Sequence, residues 1–146
     1  MKAMDLAKMI SSDNRLNNHF IGIFPIDLIP SQVDVNDFFI INSSPSDKEG
    51  THWLVLYKNS QTSYEFFDSF GYSPNFYKLY NFANFLKDYK FCYQNKQIQS
   101  VYSIKCGLYC LFYASLKVSG HSMVNIIEKF STNCIHNDKI LIRMLY

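Results

Sequence analysis

The stretch that most constrains this chain is Lys105-Cys106-Gly107-Leu108-Tyr109-Cys110, which runs straight into the apolar Leu111-Phe112-Tyr113-Ala114-Ser115-Leu116. The pattern reads as a buried helix with Cys106 in its first turn. Free backbone N–H groups point outward at a helix start, and the dipole there favours negative charge. A thiol held at that place ionises more readily, and the thiolate is the nucleophilic form. Gly107 lets another backbone approach closely, as a substrate must. Taken alone, the same residues also fit a small core cysteine, because free Cys is among the most buried residue types.

A chain of 146 residues is long enough to bury a core, and residues 1–146 read as a single domain. Hydrophobic residues at 48% and charged ones at 18% exclude a disordered chain. The net charge of +2 is unevenly spread: residues 1–68 carry five Lys/Arg against nine Asp/Glu, and residues 69–146 carry nine against three. The basic residues of the second half are scattered rather than blocked. They read as a solvated face, with weak nucleic-acid binding as the alternative. No apolar run is long enough to cross a membrane, and Met1-Lys2-Ala3-Met4-Asp5 lacks a signal-peptide core. Free thiols in a reducing, intracellular compartment are therefore expected for Cys92, Cys106, Cys110 and Cys134. Cys106 and Cys110 sit one helical turn apart, which is not a zinc-knuckle spacing, so no metal site is expected.

Met4–Ile10 has helical spacing, and Ser11-Ser12-Asp13-Asn14 ends that helix. Phe20–Phe24 is a short apolar run interrupted by Pro25, and Asp37–Asn42 reads as a buried strand followed by a polar loop, Ser43 to Gly50. Thr51–Tyr57 and Ser63–Phe67 flank a turn at Lys58-Asn59-Ser60-Gln61 and read as a hairpin. Asn75–Tyr89 reads as one amphipathic helix with Ser73 as cap and Pro74 in its first turn. Phe91-Cys92-Tyr93 and Gln97-Ile98-Gln99 fit strands, and Gln99–Lys105 is the loop entering the Cys106 helix, which ends near Gly120. Ser122–Phe130 and Asp138–Leu145 are further helices.

The hairpin brings chemistry together. His52 stands at the start of its first strand and Asp68 just past the end of its second, so antiparallel pairing places them close. Cys106 needs a base, which His52 offers, and an acceptor to orient that base, which Asp68 offers. Gln99 could send a side-chain N–H into an oxyanion hole, with the backbone N–H of Cys106 as second donor. Each piece alone also has an ordinary structural reading.

Together, Gly50-Thr51-His52-Trp53, Phe67-Asp68-Ser69-Phe70-Gly71 and Gln99…Cys106-Gly107-Leu108-Tyr109-Cys110 resemble the adenovirus-type cysteine endopeptidases, the adenain-like group within the wider clan of SUMO-specific proteases. Phe20-Ile21-Gly22 extends the likeness toward the start of the chain. The resemblance implies an α+β fold with a central mixed sheet packed between helices and the catalytic Cys at a helix N-terminus. It implies Cys106 as nucleophile, His52 as base, Asp68 as orienter and Gln99 as oxyanion donor, with Trp53 and Gly107 at the substrate. The activity implied is that of a thiol endopeptidase cleaving viral or mobile-element precursor proteins at Gly-containing sites. It would act as a monomer in the cytoplasm or nucleus of an infected host cell, or in the virion. The chemistry itself requires no cofactor, but the resemblance implies an activating peptide and DNA, and Cys92 is the candidate to bond the peptide. Two features depart from the adenain pattern: Asp68-Ser69 looks closer to the SUMO-protease form, and the chain is shorter after the Cys106 helix. A protease that removes a ubiquitin-like modifier and an inactive binding module on the same fold are the alternatives.

Overall fold

In this computed structural model, residues 1–44, 52–78 and 82–145 are described. The organising element is a five-stranded mixed sheet of β1 (Phe20–Pro25), β2 (Phe38–Asn42), β3 (Trp53–Ser60), β4 (Ser63–Phe67) and β5 (Lys90–Tyr93), in that spatial order. The β2–β3 and β3–β4 pairs are antiparallel, and the outer pairs β1–β2 and β4–β5 are parallel. The central strands are almost continuously apolar because both of their faces are covered. Phe38, Ile40, Trp53, Val55, Tyr57 and Phe67 serve one core, while Phe39, Ile41, Leu54, Leu56, Tyr64 and Phe66 serve the other.

Helices cover the first face. α1 (Ala3–Ser11) inserts Leu6 and Ile10 into it, and α4 (Cys106–Val118) lies against β3. Between α1 and β1 there is a further turn of helix, α2 (Asn14–Asn17). The Asp13 carboxylate accepts the N–H groups of Arg15 and Leu16 there, so the polar run expected only to end one helix also starts another. α5 (Met123–Ile127), shorter than the expected Ser122–Phe130, is capped by the Ser122 hydroxyl, and α6 (Cys134–Leu145) begins a turn earlier than the sequence suggests.

The second face differs from expectation. Asn75–Tyr89 is not one helix: the structure has a 3₁₀ turn at Pro74–Tyr77 and a separate α3 (Ala83–Asp88), while Leu79 and Tyr80 lie outside the described residues. Asn, Phe and Tyr hold a helix weakly, and the burial of Tyr77 and Phe82 beneath the sheet prevails over local preference. Ser73 occupies the cap position without a side-chain cap bond. Gln97–Gln99 joins no ladder either, because the N–H groups of Ile98 and Gln99 both donate to the Ser69 carbonyl, each at 3.0 Å. The hairpin forms as read, with its first strand running on to Ser60 so that Gln61 and Thr62 make the turn. Of the polar loop from Ser43 to Gly50, residues 45–50 lie outside the described residues, as does Thr51.

Phe39 is fully buried at the centre of the sheet, edge-on to Phe24, Tyr64 and Phe85. Phe39→Ala leaves a cavity there and should cost about 3–5 kcal/mol in urea unfolding, whereas a loss under about 1 kcal/mol would contradict this packing.

Candidate active site

The hairpin register pairs Val55 with Phe67, which puts Asp68 level with Leu54 and two residues from His52. The side chains close that gap, with His52 Nε2 2.7 Å from Asp68 Oδ1. Asp68 is 1% exposed, and a buried carboxylate must be met by donors. The Phe70 N–H donates to the same Oδ1 at 2.8 Å, and the Tyr77 hydroxyl donates to Oδ2. The chain turns sharply after Asp68, whose carbonyl accepts from the Gly71 N–H at 2.8 Å and from Gln94 Nε2 at 2.9 Å. Gly71 is required in that turn: its φ is +77°, and a Cβ would meet the Lys96 backbone at 2.8 Å.

With Nε2 committed to Asp68, the other ring nitrogen is left for Cys106, the first residue of α4. Burial opposes the imidazolium, but the hydrogen bonds and opposite charges of Asp68 and Cys106 outweigh it and push the His52 pKa up to about 9. Burial likewise opposes the Cys106 thiolate. The His52 bond and charge, with the backbone N–H groups of Trp53 and Gly107, nevertheless bring its pKa below the ordinary thiol value. The charged forms therefore support each other, as an imidazolium–thiolate pair. One turn on, Cys110 is fully buried without such support and its pKa is driven well up, so the two thiols of one helix face have opposite characters.

Gln99 is fully buried, and the Ser69 hydroxyl donates to its Oε1 at 2.5 Å. That bond fixes the amide so that Nε2 points the other way, where it donates to the Ser103 carbonyl at 3.0 Å. His52, Trp53, Phe70, Gln99, Ser103, Ile104, Cys106 and Met1 line one cleft of about 180 Å³. The structure thus gathers His52, Asp68, Gln99, Cys106, Trp53 and Gly107 about one place. It leaves Cys92 exposed on β5, opposite Glu65 and away from the cleft. Among the described residues, no cluster of His, Cys, Asp or Glu has a metal-binding arrangement.

Three contributors escape a reading of the sequence. Tyr77 reaches Asp68 from the 3₁₀ turn, Ser69 orients Gln99, and Phe70 stacks on His52 with ring centroids 4.6 Å apart and planes 21° apart. Ser69 and Phe70 directly follow Asp68, so proximity in sequence was their one available signal. Phe70 is the ring that stacks on His52, and Trp53, which the resemblance places at the substrate, faces Gly107.

A helix-borne cysteine, set against a histidine and an aspartate from a hairpin of a mixed sheet, is the architecture of a cysteine peptidase. The chain belongs to the adenovirus endoprotease family, whose pattern it matches over residues 20–132. The crystal structure of the ASFV pS273R protease is similar at 24% sequence identity and a TM-score of 0.44, over 71% of this chain and 42% of that one. The chain therefore spans less than half the length of that protease. No curated protein matches it.

The paired charges predict the reactivity of Cys106. Alkylation followed by mass spectrometry should show Cys106 reacting with an apparent pKa below the ordinary thiol value of about 8.5. In His52→Ala the burial cost is no longer offset, so the profile should move above that value, while Cys110 stays inert in both proteins.

Proposed function

We propose that this chain is a thiol endopeptidase in which Cys106 attacks the scissile carbonyl and His52 manages the proton. The observation that carries the reading is the Asp68–His52 bond of 2.7 Å beside a thiol whose pKa is lowered by that same imidazole. The Cys106 thiolate adds to the carbonyl carbon, and negative charge moves to the carbonyl oxygen. The backbone N–H of Cys106 and the Nε2 N–H of Gln99 not given to Ser103 receive that oxyanion. The His52 imidazolium passes its proton to the departing amine, leaving a thioester on Cys106. Neutral His52 then takes a proton from water, which attacks the thioester and releases the acid. Asp68 holds the ring in the tautomer that both steps need.

The substrates proposed are precursor proteins of a virus or mobile element, cut at Gly-containing sites inside an infected cell. Support for a small residue at the cut comes from the narrow cleft, about 180 Å³. An activating peptide and DNA remain proposals on the strength of the family.

The test is cleavage of short Gly-containing peptides beside a folded ubiquitin-like modifier carrying a Gly-Gly tail. Turnover of the peptides alone is expected, and turnover of the modifier alone would replace the precursor reading with deconjugation. Cys106→Ala should abolish cleavage. Gln99→Ala should lower kcat by about 10²–10³, and Asp68→Asn by about 10⁴ with the fold intact. Wild-type turnover that survives Cys106→Ala would sink the proposal.

A further inference from the structure

We propose that the groove between loop 100–105 and α6 is a second holding site for the substrate polypeptide. It takes a segment remote from the cut, in which apolar side chains are flanked by carboxylates. The inference rests on the peptidase reading and adds to it a sequence preference outside the catalytic cleft.

The groove encloses about 430 Å³, against about 180 Å³ for the catalytic cleft. One wall is a face of α6, where Ile135, Asp138 and Lys139 fall at helical spacing. The other wall is the loop that leads into Cys106. Ser103 and Ile104 line both openings, so a chain lying in the cleft reaches the groove by crossing that loop. The apolar part of the lining is bare: Ile135 is 61% exposed, and Tyr102 and Ile104 are more exposed still. Large apolar side chains gathered at one rim mark a surface that another molecule covers.

The polar groups of the groove are mostly donors. The Ser100 and Ser103 hydroxyls accept the N–H groups of Tyr102 and Lys105, at 3.3 and 3.1 Å, which leaves each hydroxyl hydrogen free to be donated. Among the described residues, neither Lys105 nor Lys139 makes an ion pair. The Lys105 ammonium reaches only a main-chain carbonyl, that of Asp138, at 3.4 Å. The one carboxylate of the lining, on Asp138, is buried and already takes the Tyr109 hydroxyl at 2.6 Å. Two ammonium groups and two hydroxyls around bare isoleucines complement apolar residues flanked by carboxylates. A phosphodiester backbone would meet the same charges but leave Ile104 and Ile135 uncovered, which favours polypeptide over nucleic acid. Because the segment is joined to the chain in the cleft, its contacts form as an intramolecular event and raise the affinity of the whole.

The test uses Cys106→Ala protein, so that binding is read by fluorescence anisotropy without any cleavage step. The probes are labelled Ala-Gly-Gly-Ala peptides extended through a Gly-Ser linker, before or after the Gly-Gly, by Glu-Leu-Leu-Glu. Matching peptides carry Gln-Leu-Leu-Gln. One of the two acidic peptides should bind about tenfold more tightly than its glutamine counterpart. In Lys139→Glu that ratio should fall to about one or below. Ile135→Ser should weaken the acidic peptide about fivefold. Both side chains are exposed on α6, so neither change disturbs the core. Acidic and glutamine peptides bound equally within about twofold, or a ratio unchanged in Lys139→Glu, would overturn the proposal. So would no binding of any peptide, or an oligonucleotide of equal charge bound as tightly as the acidic peptide. Because nothing is cleaved in this experiment, a failure of the peptidase reading shows in the turnover assay and not here.

Discussion

The site depends on how one buried anion is satisfied. Asp68 is 1% exposed at the end of β4, and an unpaired carboxylate there would cost several kcal/mol. Its partners come from three separate places: His52 before β3, the Phe70 amide in the following turn, and the Tyr77 hydroxyl of the 3₁₀ segment. Each of those segments is pinned by the bond it makes. The turn that lets Phe70 reach back also brings in Ser69, whose carbonyl takes the Ile98 and Gln99 amides and whose hydroxyl orients the Gln99 side chain. Gln99 then bonds the Ser103 carbonyl, three residues before Cys106. A continuous set of hydrogen bonds thus runs from the hairpin end to the start of α4.

The electrostatics of the pair follow from the same burial. Low exposure penalises the imidazolium and the thiolate separately, and in each case that penalty is the largest single effect. The penalties are overcome only because each charge is the other's partner, with Asp68 behind one and backbone N–H groups behind the other. Removing either member takes away the charge that offset the other's burial, so the group left behind shifts toward its neutral form. Cys110 serves as the internal contrast, since the same helix and greater burial without an imidazole leave a thiol that does not ionise.

Much of this arrangement was legible in the sequence because it rests on local pattern. Residues 51–57 and 63–67 read as a hairpin, and pairing alone carried His52 toward Asp68. The apolar run after Cys106 read as a buried helix, and α4 has that start. What could not be read acts across the fold. Nothing local marks Tyr77 as a partner of Asp68, because the contact exists only once the 3₁₀ turn has folded under the sheet. The same tertiary pull breaks the helix that the 75–89 periodicity suggests. The His19 Nδ1 lies 3.2 Å from Asp37 Oδ1, a contact made only when β1 and β2 pair in parallel, since each residue directly precedes its strand.

The position of Cys106 is inherited from packing that has no part in the chemistry. Residues 109–114 of α4 are all buried, and the helix touches β3, α1, α2, α5 and α6. Tyr113 stacks on Phe67 with centroids 4.3 Å apart, and the Tyr109 hydroxyl lies 2.6 Å from Asp138 Oδ1 and 3.2 Å from the Ile98 carbonyl. A helix fixed on so many sides cannot tilt its first residue without disturbing the core, so the thiol is held to the tolerance of core packing. The loop before it is under no such restraint: Tyr102 is 92% exposed and Ile104 is 82% exposed, although Ile104 also lines the cleft. Rigidity and variability are therefore separated at residue 105. Changes at Val101, Tyr102 and Ile104, whose side chains are exposed, can reshape the wall that a polypeptide meets without moving the nucleophile, the division that lets one scaffold serve different substrates.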